Sequence, residues 1–181
     1  MKRRKPILLL LTISAMLFTA CSTKEQKNVN NDRITKVESM VEIQNVIAAY
    51  AMAWDKEDTK EFANHFHKDA IIIDSWHSKE IERYNGVQEF MDARQDEGDN
   101  VGGHILSLVH FKELSDSSAS TEVVFNYFWY GHFATNQAKT NIRGSYIDEW
   151  IRTDKGWRIM KRIIEHENVP AHRAESYGLL E

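Results

Sequence analysis

The side chains able to do covalent or proton chemistry are few and unevenly spaced. The chain holds eight His and a single Cys, Cys21. One Cys excludes an intrachain disulfide and any multi-Cys metal site. No Gly-x-Ser-x-Gly elbow occurs, and Gly102-Gly103 alone makes no phosphate loop. His65 and His67 form a His-x-His pair with His77 beyond. On a helix, i and i+2 point apart; on an extended segment the two could share a face. His104 and His110 share a face if they sit on one strand, but about 20 Å would then separate them, too far for one ion. No metal site is expected. Histidine suits proton transfer, because neutral imidazole has an intrinsic pKa of about 6.5, near working pH.

The elements that must position such residues follow from the hydrophobic pattern. Thr35-Lys36-Val37-Glu38 fits a capping box. Beyond it Val37, Met40, Val41, Ile43, Ile47, Tyr50, Ala51 and Trp54 fall at helical spacing. Asp58-Thr59-Lys60-Glu61 opens a shorter helix bearing Phe62 and Phe66, Ala70–Ile73 reads as a short buried strand, and Gly86–Met91 as a third helix. After Gly103, residues 104–114, 121–134, 140–153 and 157–166 are rich in β-branched and aromatic residues, with turn-forming stretches between them. Four long strands joined by short turns imply an antiparallel meander, with helices packed on one face in an α+β fold.

Length, 181 residues, suits one domain. Five Trp, six Tyr and eight Phe support a packed core. A net charge of −4 gives no electrostatic case for nucleic-acid binding. The charge is asymmetric: Lys2, Arg3, Arg4 and Lys5 precede an uncharged stretch, Ile7–Ala20. That is the form of a secretory signal, shorter than the roughly 20 residues of a membrane span. Leu17-Phe18-Thr19-Ala20-Cys21 resembles a bacterial lipoprotein lipobox, which implies cleavage before Cys21 and lipidation of its thiol. Removing the four basic residues would leave 19 against 27 acidic ones, a net charge of −8. Attachment would then rest on acyl chains rather than on charge.

The expected organisation is a signal peptide over 1–20, a flexible polar tether over 21–35, a domain over 36–167 and a polar tail over 168–181. The expected location is the bacterial cell envelope, on a membrane through Cys21. Labelling with a palmitate analogue tests the anchor: label should be lost in Cys21→Ala, and equal label there would overturn it.

The order of elements resembles the SnoaL-like, or nuclear transport factor 2-like, α+β cone. Ile43–Asp55 looks like the family's first helix, Phe66-His67-Lys68-Asp69-Ala70 like the start of its first strand, and Gly103-His104 like the strand that carries a pocket His in its enzymes. Gly144–Asp148 and Gly156–Ile159 are similar to its last two strands. Within the superfamily the chain resembles the branch of scytalone dehydratase, hexachlorocyclohexane dehydrochlorinase and bile-acid 7α-dehydratase. That branch pairs an Asp near the end of the first helix with a His on the sheet; Asp55 and His104 stand at those places, and Tyr50 matches a Tyr of the bile-acid enzyme. The bile-acid enzyme's further Asp and Arg fall near Tyr127 and His166 here.

The resemblance implies a cofactor-independent lyase, dehydratase or isomerase acting on a small, largely apolar molecule. His104 would take a proton from carbon, and Asp55 would fix its tautomer. Tyr50 and Tyr146 would serve a developing oxyanion or a leaving group, with Tyr127, Trp129 and His166 lining the pocket. Phe133 alternates with Tyr127 and Trp129 on one strand face, while Phe128 and Tyr130 take the other. A second apolar face, together with the family's habits, implies a homodimer or homotrimer. Plainer readings exist. Asp55 could bond the turn after its helix, His104 could be a satisfied sheet histidine, and Tyr50 a core aromatic. A non-catalytic ligand-binding or assembly module on the same fold is the alternative.

Overall fold

The computed structural model describes residues 7–95, 102–129 and 140–168. Among the described residues, three helices and seven strands follow in the order α1 (Ile7–Asp55), α2 (Thr59–Asn64), β1 (Phe66–Trp76), β2 (Lys79–Asn85), α3 (Val87–Gln95), β3 (Gly102–Leu106), β4 (His110–Leu114), β5 (Ser118–Trp129), β6 (Thr140–Thr153) and β7 (Gly156–His166). Two compact units result, Met1–Ser39 and Met40–Glu181.

Among the described residues, the first unit holds the N-terminal part of α1. Thr35 starts no helix, and the segment expected as a flexible tether is helical. Ser22–Arg33 lacks both Gly and Pro and includes Lys, Glu and Gln, so nothing local breaks the helix. The side chain of Cys21 and residues 169–181 of the expected tail lie outside the described residues. No helix among the described residues is long and apolar enough to cross a membrane.

In the second unit, Ile43, Ile47, Tyr50 and Ala51 bury one face of α1. Val41, included in the expected stripe, is exposed; two residues from Ile43, it points about 200° away around the helix. Asp58 caps α2, its side chain accepting from the Glu61 N–H at 3.0 Å.

The helices pack on a curved, unclosed mixed sheet with strand order β2-β1-β7-β6-β5-β3, and β4 also pairs with β5. Strands β5, β6 and β7 form the expected antiparallel meander. Its inward positions alternate, as period-2 geometry requires: Ile142, Tyr146, Asp148 and Trp150 on β6 are all buried. Trp150 and Trp157 are 1 % exposed, each stabilising the core by about 1.5–3 kcal/mol. Gly156, at φ 89°, turns the chain between β6 and β7.

Within the sheet, the structure departs from the sequence reading in three further places. Strand β2 was not expected. Its Lys79-Glu80-Ile81-Glu82-Arg83 run hides the alternation, and such charge suits an edge strand. His77 and Ser78, both at positive φ, form the two-residue turn that joins it to β1. Residues 104–114 are not one strand. Ser107 donates its N–H to the Val124 carbonyl (2.9 Å), and its Oγ accepts from the Val124 N–H (3.0 Å), between β3 and β4. His104 and His110 therefore sit on separate strands, opposite Tyr127 and Glu122. Finally, β1 pairs in parallel with β7, so the N-terminal strand joins the sheet through the C-terminal one.

Candidate active site

Asp55 is the last residue of α1, and His104 lies in β3. The turn after α1 is closed by its own backbone: Lys56 N–H to Met52 carbonyl, Glu57 to Trp54 and Asp58 to Ala53. Asp55 is thus not spent on the turn. Its Oδ1 lies 2.6 Å from His104 Nδ1, and its Oδ2 accepts the His104 backbone N–H at 2.9 Å. Holding both N–H groups at once fixes the backbone and the ring together. A carboxylate accepts only, so Nδ1 carries hydrogen and Nε2 presents its lone pair. The imidazole is well buried, with 6 % of its side chain exposed.

His104 Nε2 is 2.9 Å from the Tyr146 hydroxyl, which donates to it in this tautomer. Tyr146, expected to face the ligand, lines the cavity and also touches the base itself. Burial pushes the Tyr146 phenol well above its ordinary pKa, helped by neighbouring Tyr50, so it stays a proton donor. Burial raises Tyr50 in the same way, against the pull of Arg162. Among the described residues, the Tyr50 hydroxyl has no partner in hydrogen-bonding geometry.

These residues border one cavity of about 80 Å³. Tyr50, His104, Tyr127, Tyr146 and His166 line it, and Asp55 stands behind His104. Tyr127 lies 4.7 Å from the His104 ring, centroid to centroid, and Phe125 stacks on Tyr146 at 4.3 Å. A Cβ at Gly144 would run into the Glu165 carbonyl and touch the Phe125 ring, so this strand position needs glycine for Phe125 to pack. The Trp129 side chain, Tyr130 and Phe133 lie outside the described residues.

Two buried ion pairs were missed by the sequence reading. Arg162 on β7 holds Asp148 on β6 through two 2.8 Å bonds, the two residues facing each other in register. Its guanidinium carbon lies 4.0 Å from the Tyr50 ring centroid and 4.4 Å from that of Tyr146. It therefore braces both phenols from behind by cation–π contact. Burial alone would lower the Arg162 pKa; the Asp148 charge more than offsets this and holds it above the ordinary value. The available signal was Asp148 at an inward position of β6. The second pair, Arg94 with Asp74, also borders the cavity. Asp148→Ala should destabilise the protein by about 3–5 kcal/mol, because the buried Arg162 charge loses its partner. Urea unfolding checks this, and a change below about 1 kcal/mol would contradict it.

The C-terminal part of α1 on a curved, open sheet, with a His–Asp pair at the wall of an aromatic cavity, is the arrangement of the α+β cones. Residues 35–163 match the SnoaL-like domain, and the chain belongs to that family. Comparison with curated proteins gave no match. Among solved structures, a protein assigned as a scytalone dehydratase from Novosphingobium aromaticivorans is similar, with TM-score 0.62 and 16% identity, covering 75% of this chain and 89% of that one. The hexachlorocyclohexane dehydrochlorinase of Novosphingobium barchaimii gives 0.59 and 17%, covering 75% and 91%. The β subunit of the benzoate 1,2-dioxygenase of Burkholderia mallei gives 0.59 and 12%, covering 72% and 93%. At these identities the likeness is one of fold.

Proposed function

We propose that the chain is a cofactor-independent lyase or isomerase, with dehydration of a small, largely apolar molecule as the leading reaction. The observation that carries this reading is the 2.6 Å contact between His104 Nδ1 and Asp55, which leaves Nε2 as a base at the cavity wall. A ligand oxygen that draws the Tyr146 hydroxyl onto itself uncovers the Nε2 lone pair. Nε2 then takes a proton from the adjacent carbon, and Asp55 stabilises the imidazolium. The electron pair left on carbon forms the double bond, hydroxide departs, and the proton follows it to give water. Tyr50, a neutral donor, supports the oxygen on which charge develops. The dehydratase and dehydrochlorinase among the similar folds support the reading.

The test uses a panel of cyclic β-hydroxy ketones in D2O, followed by proton NMR for exchange at the α-carbon and for elimination. Wild-type protein should exchange or eliminate at least one of them, and His104→Ala none. A panel without exchange would favour a binding or assembly module, a reading supported by the dioxygenase β subunit on the same fold. Tyr50→Phe should slow the reaction roughly 10²–10³-fold, as for loss of one oxyanion donor. A rate within a few fold of wild type would remove Tyr50 from the mechanism.

A further inference from the structure

Asp74 ends the apolar run of β1 and is 0 % exposed. A carboxylate at such depth must be paired. Arg94 reaches it from α3, and His166 Nε2 from the end of β7 lies 3.3 Å from Oδ1. Arg94 is itself held over the Phe90 ring, 5.3 Å from its centroid. All three side chains are buried, and all three line the same cavity as His104. Both His104 and His166 have ring centroids 6.4 Å from that of Phe125. The cavity thus holds a second imidazole oriented by a carboxylate, at a place distinct from the first.

The two imidazoles differ in what their outer nitrogen meets. His104 Nε2 is met by Tyr146. His166 Nδ1 is buried and has no hydrogen-bond partner among the described residues. A carboxylate only accepts, so the Asp74 contact puts the hydrogen on Nε2, the tautomer in which Nδ1 is an acceptor. We propose that His166, oriented by Asp74 and Arg94, is a hydroxyl-reading subsite: its Nδ1 accepts a hydrogen bond from an O–H group of the ligand. This rests on the reading of the cavity as a small-molecule site and narrows the class to hydroxylated aromatic or alicyclic molecules. A ligand offering only acceptor oxygens finds no donor at that nitrogen. Asp74 and Arg94 act through His166 as positioning residues.

The test uses the full chain with three probes of similar size: phenol, which donates, and anisole and benzaldehyde, which only accept. Binding is read by titration calorimetry, and the His166 ring nitrogens by ¹⁵N NMR. Phenol should bind wild type about tenfold tighter than either acceptor, the worth of one hydrogen bond to a buried group. The Nδ1 resonance should move with phenol alone, and in His166→Leu the three affinities should converge. The resonance measurement stands on wild type and does not depend on the variant folding. Equal affinities in wild type, a phenol preference retained in His166→Leu, or a still Nδ1 resonance would overturn the subsite. Exchange at carbon with any of these would leave the lyase reading standing. Binding of none of the three probes would overturn the subsite, while exchange with the β-hydroxy ketones decides the lyase reading separately.

Discussion

Asp55→Asn should cost on the order of 10⁴ in turnover and leave the fold unchanged, by analogy with hydrolase triads. Asp55 does two jobs, and the substitution separates them. The Asn oxygen still accepts the His104 backbone N–H now taken by Oδ2, so β3 stays docked. The amide NH2, however, turns a donor toward Nδ1. The ring then moves its hydrogen to Nε2, the nitrogen that must be bare to take a proton from carbon. Circular dichroism and thermal melting should match wild type while α-carbon exchange collapses. A variant that loses activity only in proportion to folded protein would show Asp55 to be structural.

His104→Ala should reduce exchange and elimination to the uncatalysed rate. Among the described residues lining the cavity, His166 is the only other imidazole, and Asp74 and Arg94 hold it at a place distinct from that of His104. The truncation also frees the Tyr146 hydroxyl from Nε2 and leaves a hole the size of the ring. Added imidazole should therefore restore part of the rate, saturating with concentration, which a purely structural defect would not show. Turnover by the folded variant within a few fold of wild type would refute the mechanism and leave the cone as a binding scaffold.

Much of the fold was legible because the meander strands alternate strongly. Residues 140–153 were expected as one strand and form β6 with those bounds. Asp58 announced α2 through ordinary capping chemistry. Strand β2 escaped because charge on both sides of an edge strand erases the period-2 signal. The break at Ser107 escaped because it depends on a side chain bonding across to Val124, a residue 17 positions later. Asp55 and His104 were found through resemblance, not spacing: 49 residues separate them. Arg162 with Asp148 and Arg94 with Asp74 were missed because a charge reads as solvent-facing until its partner is placed, and the partners stand 14 and 20 residues away. The position of Asp148 on the buried parity of β6 was the one local hint.

The parallel pairing of β1 with β7 sets the order in which the molecule can be built. Asp74 and His166 are separated by 92 residues, and Ile72 waits for Arg162 as its neighbour in the ladder. Until β7 emerges, Ala70-Ile71-Ile72-Ile73 has only the charged hairpin strand β2 on one flank and an open backbone edge on the other. A short β-branched run with a free edge is the kind of segment on which chains join one another rather than themselves. Long-range closure of this sort also slows folding, since the loop must close before its contacts reward it. A chain stopped before Gly156 would therefore lose more than Arg162 and His166: it would present an unfinished sheet whose sticky margin is the strand that carries Asp74.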